Sequence, residues 1–321
     1  MAKESSLRFA LNTRRMLVAA TLVLMGTAHA HGIAGNRFFP GTLNFDDPAV
    51  ADEFVITTGT AKQRMDDGSY ANANNTTISF ARLLTDNVSV GFDTGYLRRS
   101  WSGVHQDGAT GTDVVLKARV VEDDLNETLV ATSLSYGIPG SGTKRIGANM
   151  PSIITPAVNF GQGLGALPDS LSWLRPFGFT GGVSVEVPTR NTSNNQSYDL
   201  SKQRYVDVQT HNVTTVHWGF AIEYSTLYLT DRFQPGKLPK EEPLHQWVPL
   251  VEFAFDSPRG QKTTGTINPG VAYVQDSWQI AAEAVLPINH DSGHGVGANI
   301  QLLLFMDDFM PSLFGKPLLS H

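Results

Sequence analysis

The chain has 321 residues, 24 Lys+Arg against 30 Asp+Glu, and no cysteine. That length suits one large β domain or two ordinary ones. The missing cysteines exclude disulfides, thiolate metal sites, covalent c-type haem, a lipidated cysteine anchor and a cysteine nucleophile. Only 17% of residues are charged, a low share beside the roughly 25% usual in soluble proteins.

The first specific signal is N-terminal. Lys3, Arg8, Arg14 and Arg15 form a positive region, an apolar stretch runs from Met16 to Gly26, and Ala28-His29-Ala30 follows as an A-x-A cleavage site. Residues 1–30 therefore read as a signal peptide removed on export. Its loss makes the chain more acidic than its formal net charge of −6, which disfavours nucleic acid and anionic lipid surfaces as partners. Past residue 30 no stretch approaches the roughly 20 apolar residues of a spanning helix. The choice lies between an exported soluble β protein and an outer-membrane barrel.

The dominant period is two. Val88, Val90, Phe92, Thr94 and Tyr96 alternate with Ser89, Gly91, Asp93 and Gly95, one apolar face against one small or polar face. The same alternation sets Val114, Leu116 and Ala118 against Asp113, Lys117 and Arg119, and Val183, Val185 and Val187 against Ser184 and Glu186. Trp218, Phe220 and Ile222 oppose His217 and Glu223; Val251 and Phe253 oppose Glu252; Ile280, Ala282 and Ala284 oppose Glu283. The pattern predicts twelve strands, near 53–63, 75–84, 88–97, 112–121, 127–136, 153–161, 177–187, 212–225, 247–256, 264–274, 277–287 and 295–309. Pro156 makes the sixth the weakest of these, since proline cannot donate to a ladder.

Connection lengths give an independent signal. Arg64–Asn74, Arg98–Gly111, Gly137–Ser152 and Pro188–His211 are long, whereas Thr85–Asn87, Glu122–Asn126 and Gln275–Asp276 are short. Outer-membrane barrels alternate long outer loops with short periplasmic turns in this way. The sixth connection, Gln162–Pro176, and the eighth, Thr226–Gln246, break the rule. Leucines at three and four spacing between prolines predict one or two helical turns in the sixth. The expected fold is an all-β, transmembrane, antiparallel up-and-down barrel of about twelve strands. Residues 31–52 then form a periplasmic N-terminal segment, 53–309 the barrel and 310–321 a periplasmic tail.

The inward faces of such a barrel carry Asp93, Asp113, Lys117, Arg119, Glu186, His217, Glu223, Glu252 and Glu283. Acids outnumber bases there, so a water-filled lumen favours cations or neutral solutes; the same charges could instead pair across a plugged interior.

Several patches resemble a known family: His31-Gly32 through Phe38-Phe39-Pro40-Gly41-Thr42 and Asp46-Asp47-Pro48; Leu167-Pro168-Asp169-Ser170 through Leu174-Arg175-Pro176-Phe177; Asp291-Ser292-Gly293-His294-Gly295-Val296-Gly297 leading to Phe305-Met306-Asp307-Asp308; and Phe314-Gly315-Lys316-Pro317-Leu318. The family is that of the outer-membrane transporters named for the meta pathway of phenol degradation. The resemblance implies an exported barrel that passes small compounds, often aromatic or hydrophobic. It transfers no catalytic motif. His321 departs from the terminal aromatic usual in outer-membrane barrels; Phe309 would close the last strand instead.

Sharper chemical readings find less support. Cleavage after Ala30 would leave His31 as an amino-terminal copper chelator, but no second ligand can be named. His290-Asp291-Ser292 has the His-x-Ser spacing of outer-membrane lipid hydrolases, yet sits in a turn-rich connector. Gly161-x-Gly163-x-Gly165 lacks the companions of a phosphate loop. The reading is thus a non-enzymatic outer-membrane channel passing small solutes by passive diffusion, without cofactor or metal, its partners being membrane lipid and solute. The alternatives are a structural barrel sheathing or docking a periplasmic partner such as an electron carrier, then a lipid hydrolase.

Overall fold

The computed structural model describes residues 32–65, 68–228, 245–314 and 316–319. The export signal, His31, residues 229–244 of the eighth connection and His321 lie outside the described residues.

Two short strands, β1 (Ile33–Ala34) and β2 (Arg37–Phe38), precede the wall. The wall is made of β3 (Glu53–Arg64), β4 (Tyr70–Thr85), β5 (Val88–Trp101), β6 (Val104–Asp123), β7 (Thr128–Gly137), β8 (Ile153–Gly163), β9 (Phe177–Pro188), β12 (Thr215–Tyr224), β13 (Gln246–Pro258), β14 (Thr264–Val274), β15 (Trp278–Pro287) and β16 (Gly297–Phe305). Between β9 and β12, β10 (Thr192–Asp199) and β11 (Arg204–His211) form a separate two-stranded ribbon. The twelve wall strands close into one barrel, each beside its neighbour in sequence, and β16 returns to β3 from Ala298↔Thr60 to Phe305↔Glu53.

The twelve strands lie where the alternation places them, but several ends differ. β5 and β6 run on to a turn at Ser102-Gly103, so the third connection is a hairpin rather than a loop. Its β6 spans 20 residues, about twice the 9–11 that a bilayer needs, and the excess stands outside the membrane. The longest connection holds the β10–β11 ribbon. The last strand stops at Phe305, and Met306–Phe309 turn as a short helix. The sixth connection contains the expected helical turns, at Asp169–Leu174. Pro156 fits within β8 because the β8–β9 ladder skips it, passing from Ile154↔Val187 to Ala157↔Ser184.

The outer face explains where such a sheet can live. Leu134, Val158, Ile280 and Ile300 are exposed, Ile300 by 55%. Facing water, these side chains would forgo roughly 1.5–3 kcal/mol of burial each; facing acyl chains, they do not. Outward aromatics stack across strands, Trp218 on Phe255 at 4.2 Å and Phe220 on Phe253 at 4.5 Å. Near the periplasmic ends of β13–β15, Trp247, Tyr273 and Trp278 form a chain with centroids 4.6 and 5.8 Å apart, the amphipathic girdle of a membrane interface. A closed barrel with this exterior is a bacterial outer-membrane protein.

Phe220 lies midway along β12. Phe220→Arg is expected to cost about 2–4 kcal/mol, read as a lower denaturant midpoint in bilayers, while the inward change Ser184→Ala is expected to shift it far less.

Candidate functional site: a plugged lumen

The sequence reading assigns residues 31–52 to the periplasm; the described part of that segment enters the barrel from its periplasmic end. It begins as the β1–β2 hairpin, which turns at Gly35-Asn36. Gly35 has a φ of 59°, and a Cβ there would meet the Asp124 carbonyl oxygen at 2.2 Å, so only glycine allows this approach. The Gly35 N–H donates to Asp124 Oδ1 at 2.9 Å.

Arg37 anchors the hairpin. Its guanidinium is 1% exposed and meets Glu127 at 3.3 Å. It also donates to the carbonyls of Arg175, Pro176 and Phe177 and stacks over the Tyr228 ring at 4.3 Å. Glu127 in turn accepts from the Tyr228 hydroxyl and from the Gly165 N–H. One planar cation thus ties the segment to three periplasmic connections, a role suited to the fork of arginine rather than a lysine point charge.

Apolar packing then fills the mouth. Ile33 and Phe38 join a nine-residue buried cluster with Val248, Leu250, Ala272, Val274, Ala281, Leu303 and Phe305. Ala34 and Phe39 pack on Leu129, and Val50 packs on Leu83 and Ala131.

Residues 41–44 follow the β13–β16 wall, whose side chains satisfy the segment's backbone. Gln279 brackets Gly41, accepting from its N–H at 3.2 Å and donating to its carbonyl at 2.9 Å. Gln301 donates to the Thr42 carbonyl at 2.9 Å, and Glu252 accepts from the Leu43 and Asn44 N–H groups at 2.8 and 3.0 Å. The Asn44 amide donates to Glu252 and Glu283, 2.7 Å each. From Asn44 the chain crosses the lumen as a crossbar. Phe45 lies against Gly219, where a Cβ would meet its ring at 2.7 Å. Asp46 reaches Lys117 and Asn159 at 2.8 Å each, and Asp47 lies 3.7 Å from Lys117. Burial raises the Asp47 carboxyl above its ordinary range, with Lys117 pulling the other way. Beyond it, Asp52 pairs with Arg82 and accepts from the Leu83 N–H at 2.6 Å. Burial likewise raises Asp52, against the Leu83 N–H and Arg82.

Above the crossbar lies a cavity of about 940 Å³. Of the nine inward residues expected from the sequence, Asp93, Asp113, Lys117 and His217 line it. Asp93 and Asp113 stand opposite each other on β5 and β6. His217 bridges Asp256 at 2.6 Å and Glu186 at 3.2 Å, joining three strands. Glu223, Glu252 and Glu283 are nearly buried beneath the plug, with Glu223 accepting from Thr180 at 2.5 Å. Arg119 is buried at the periplasmic rim, donating to Asn87 and to the Asp86 carbonyl. Hydroxyls supply much of the remaining lining, among them Ser79, Thr94, Ser133, Ser135 and Thr155.

Of the residues that hold the plug, Lys117, Glu252 and Glu283 belong to the sequence-derived set, whereas Arg37, Asn44, Asp46, Glu127 and Asn159 are absent from it. One signal was available: Phe38-Phe39 is an apolar pair in a stretch assigned to water. The hydrolase motif dissolves into turn structure. Ser292 hydrogen-bonds Asn289 Oδ1 at 2.8 Å and accepts from the Gly265 N–H, and His294 stacks on Tyr70 at 5.2 Å. Among the described residues no cluster of three His, Asp or Glu is placed to hold a metal.

No protein-family model matches the chain, and no curated protein matches it. Among solved structures it is similar to an outer-membrane channel from Pseudomonas putida F1, at 9% identity over 84% of this chain and 99% of that one, with a TM-score of 0.48. It is also similar to the transport unit of the autotransporter AIDA-I from Escherichia coli, at 12% identity over 84% and 94%, TM-score 0.45. A toluene transporter from Ralstonia pickettii is similar at 9% identity over 78% and 87%, TM-score 0.36.

Arg37→Met leaves Glu127 buried without its cation, a change that costs about 3–5 kcal/mol at such pairs. The N-terminal segment of the folded barrel is expected to become protease-sensitive while the wall stays intact, read by mass spectrometry of limited digests; Arg37→Lys is expected to restore protection only in part.

Proposed function

We propose that this protein is an outer-membrane channel for small hydrophilic or amphiphilic solutes, closed at rest by its own N-terminal segment. One observation carries the reading: a polar cavity within a closed barrel, floored by a crossbar that the wall holds through side chains. A purely structural barrel of this width has little need of a solvent-lined space above a plug.

The chemistry of the cavity favours cations. Lys117 is engaged by Asp46 and Asp47, and His217 by Asp256 and Glu186. These pairings leave Glu53, Asp93 and Asp113 to set the sign of the field that an entering solute meets. Low-dielectric walls concentrate that field. The aromatic or hydrophobic solutes implied by the family resemblance would cross this hydroxyl-rich space before meeting apolar contacts at its floor, on Leu43, Phe45 and Leu303. Compounds carrying both a ring and polar groups suit the lining better than bare hydrocarbons. Passage is by diffusion.

The sheath alternative places a partner on the C-terminal tail. That tail folds back on the barrel: the Leu318 and Leu319 N–H groups donate to the Leu83 and Leu84 carbonyls at 3.0 and 2.8 Å, and Arg82 donates to the Leu313 and Lys316 carbonyls.

In planar bilayers the full-length protein is expected to open infrequently, in discrete steps, with cations more permeant than anions. Asp93→Asn combined with Asp113→Asn is expected to lower the permeability ratio several-fold toward unity, read from reversal potentials. A folded protein that never opens would sink the channel reading and favour the sheath.

A further inference from the structure

Resting on the channel reading, the geometry points to a specific opening route: the plug yields at its β6–β8 side, where Lys117 latches Asp46, and stays seated on β13–β16. Solute then passes between the crossbar and the wall that carries Lys117, Ser133, Ser135 and Asn159.

The attachments are unequal. At the N-terminal anchor, Arg37 and Glu127 are 1% and 6% exposed. At the other end, Asp52 is 1% exposed. Over residues 41–44, three buried polar side chains, Gln279, Gln301 and Glu252, hold the backbone. At the far end of the crossbar, by contrast, the latch is open on its cavity side: Asp46 is 51% exposed, above a Lys117 that is 12% exposed and a buried Asn159. Salt screens an open ion pair far more than a buried one.

The packing below follows the same division. Under the β13–β16 side lies the nine-residue cluster around Phe38. Toward the β6–β8 side lie only two clusters of three, Ala34–Phe39–Leu129 on β7 and Val50–Leu83–Ala131 between β4 and β7. Both the polar latch and the apolar floor are therefore weakest on one side. The segment acts as a tethered gate: its two ends and its seat stay in place while the span around Asp46 moves.

The cysteine-free chain permits a direct test. One full-length variant carries Asp46→Cys and Asn159→Cys, spanning the latch; another carries Asn44→Cys and Glu283→Cys, spanning the seat. Each is bridged with a short bifunctional methanethiosulfonate and recorded in planar bilayers. Compared with the same variant in its reduced, unbridged form, the latch bridge is expected to cut open probability at least tenfold, with recovery on reduction, and the seat bridge to change it by no more than twofold. Lys117→Met without any bridge is expected to raise open probability several-fold and to flatten its dependence on salt. Equal block by both bridges would mean that the whole plug leaves, and no block by the latch bridge would place the route elsewhere; either result overturns the proposal while sparing the channel. A wild-type protein without openings would remove both together. Recovery on reduction separates a locked gate from a misfolded barrel.

Discussion

Unpaired backbone N–H and C=O groups cost several kcal/mol each in hydrocarbon, and the pairing of β16 with β3 is the contact on which this molecule depends. Without the register from Ala298↔Thr60 to Phe305↔Glu53, the sheet would present two open edges to lipid. With it, the wall satisfies its own backbone and the exterior can be uniformly apolar. Closure also divides space. Each strand then has a lipid side and a lumen side, and the period of two in the sequence becomes a physical partition.

Closure creates a second demand inside. A chain segment within the barrel must have its own backbone groups satisfied, and the wall's strands already pair with one another rather than with it. The solution is chemical rather than architectural: wall side chains Gln279, Gln301 and Glu252 reach the peptide groups of residues 41–44. The same demand explains the inward carboxylates. Glu252 and Glu283 form part of the plug's seat through Asn44, whereas Asp93 and Asp113 remain beside the cavity. One inward acidic stripe thus serves two purposes, holding a closure in one half of the barrel and shaping a field in the other.

Much of the wall was legible in advance because a strand between lipid and water leaves a local trace. Val88 to Tyr96 shows it over nine residues, and the short turn at Thr85–Asn87 confirms it. The strand ends were harder to read. Arg98–Gly111 shows no sustained alternation, its apolar Trp101 and Val104 packing locally with Ala71, because that part of β5 and β6 stands above the membrane, where alternation has no medium to report. The plug was harder still. Residues 31–52 are too short and too mixed to show a period, and their partners lie as far as 259 positions away, as in the contact between Thr42 and Gln301.

The sequence by itself determined the all-β character of the chain and the number and order of its wall strands, since each rests on local composition or a two-residue period. Only the tertiary structure decided which inward charges meet solvent and which are buried under the chain's own N-terminus. That outcome turns on contacts such as Arg37 with Glu127 and Asp46 with Lys117, which form between segments with no local signal for one another. Pairing across a closed lumen is a property of three-dimensional proximity, and alternation along a strand carries no record of what fills the space it faces.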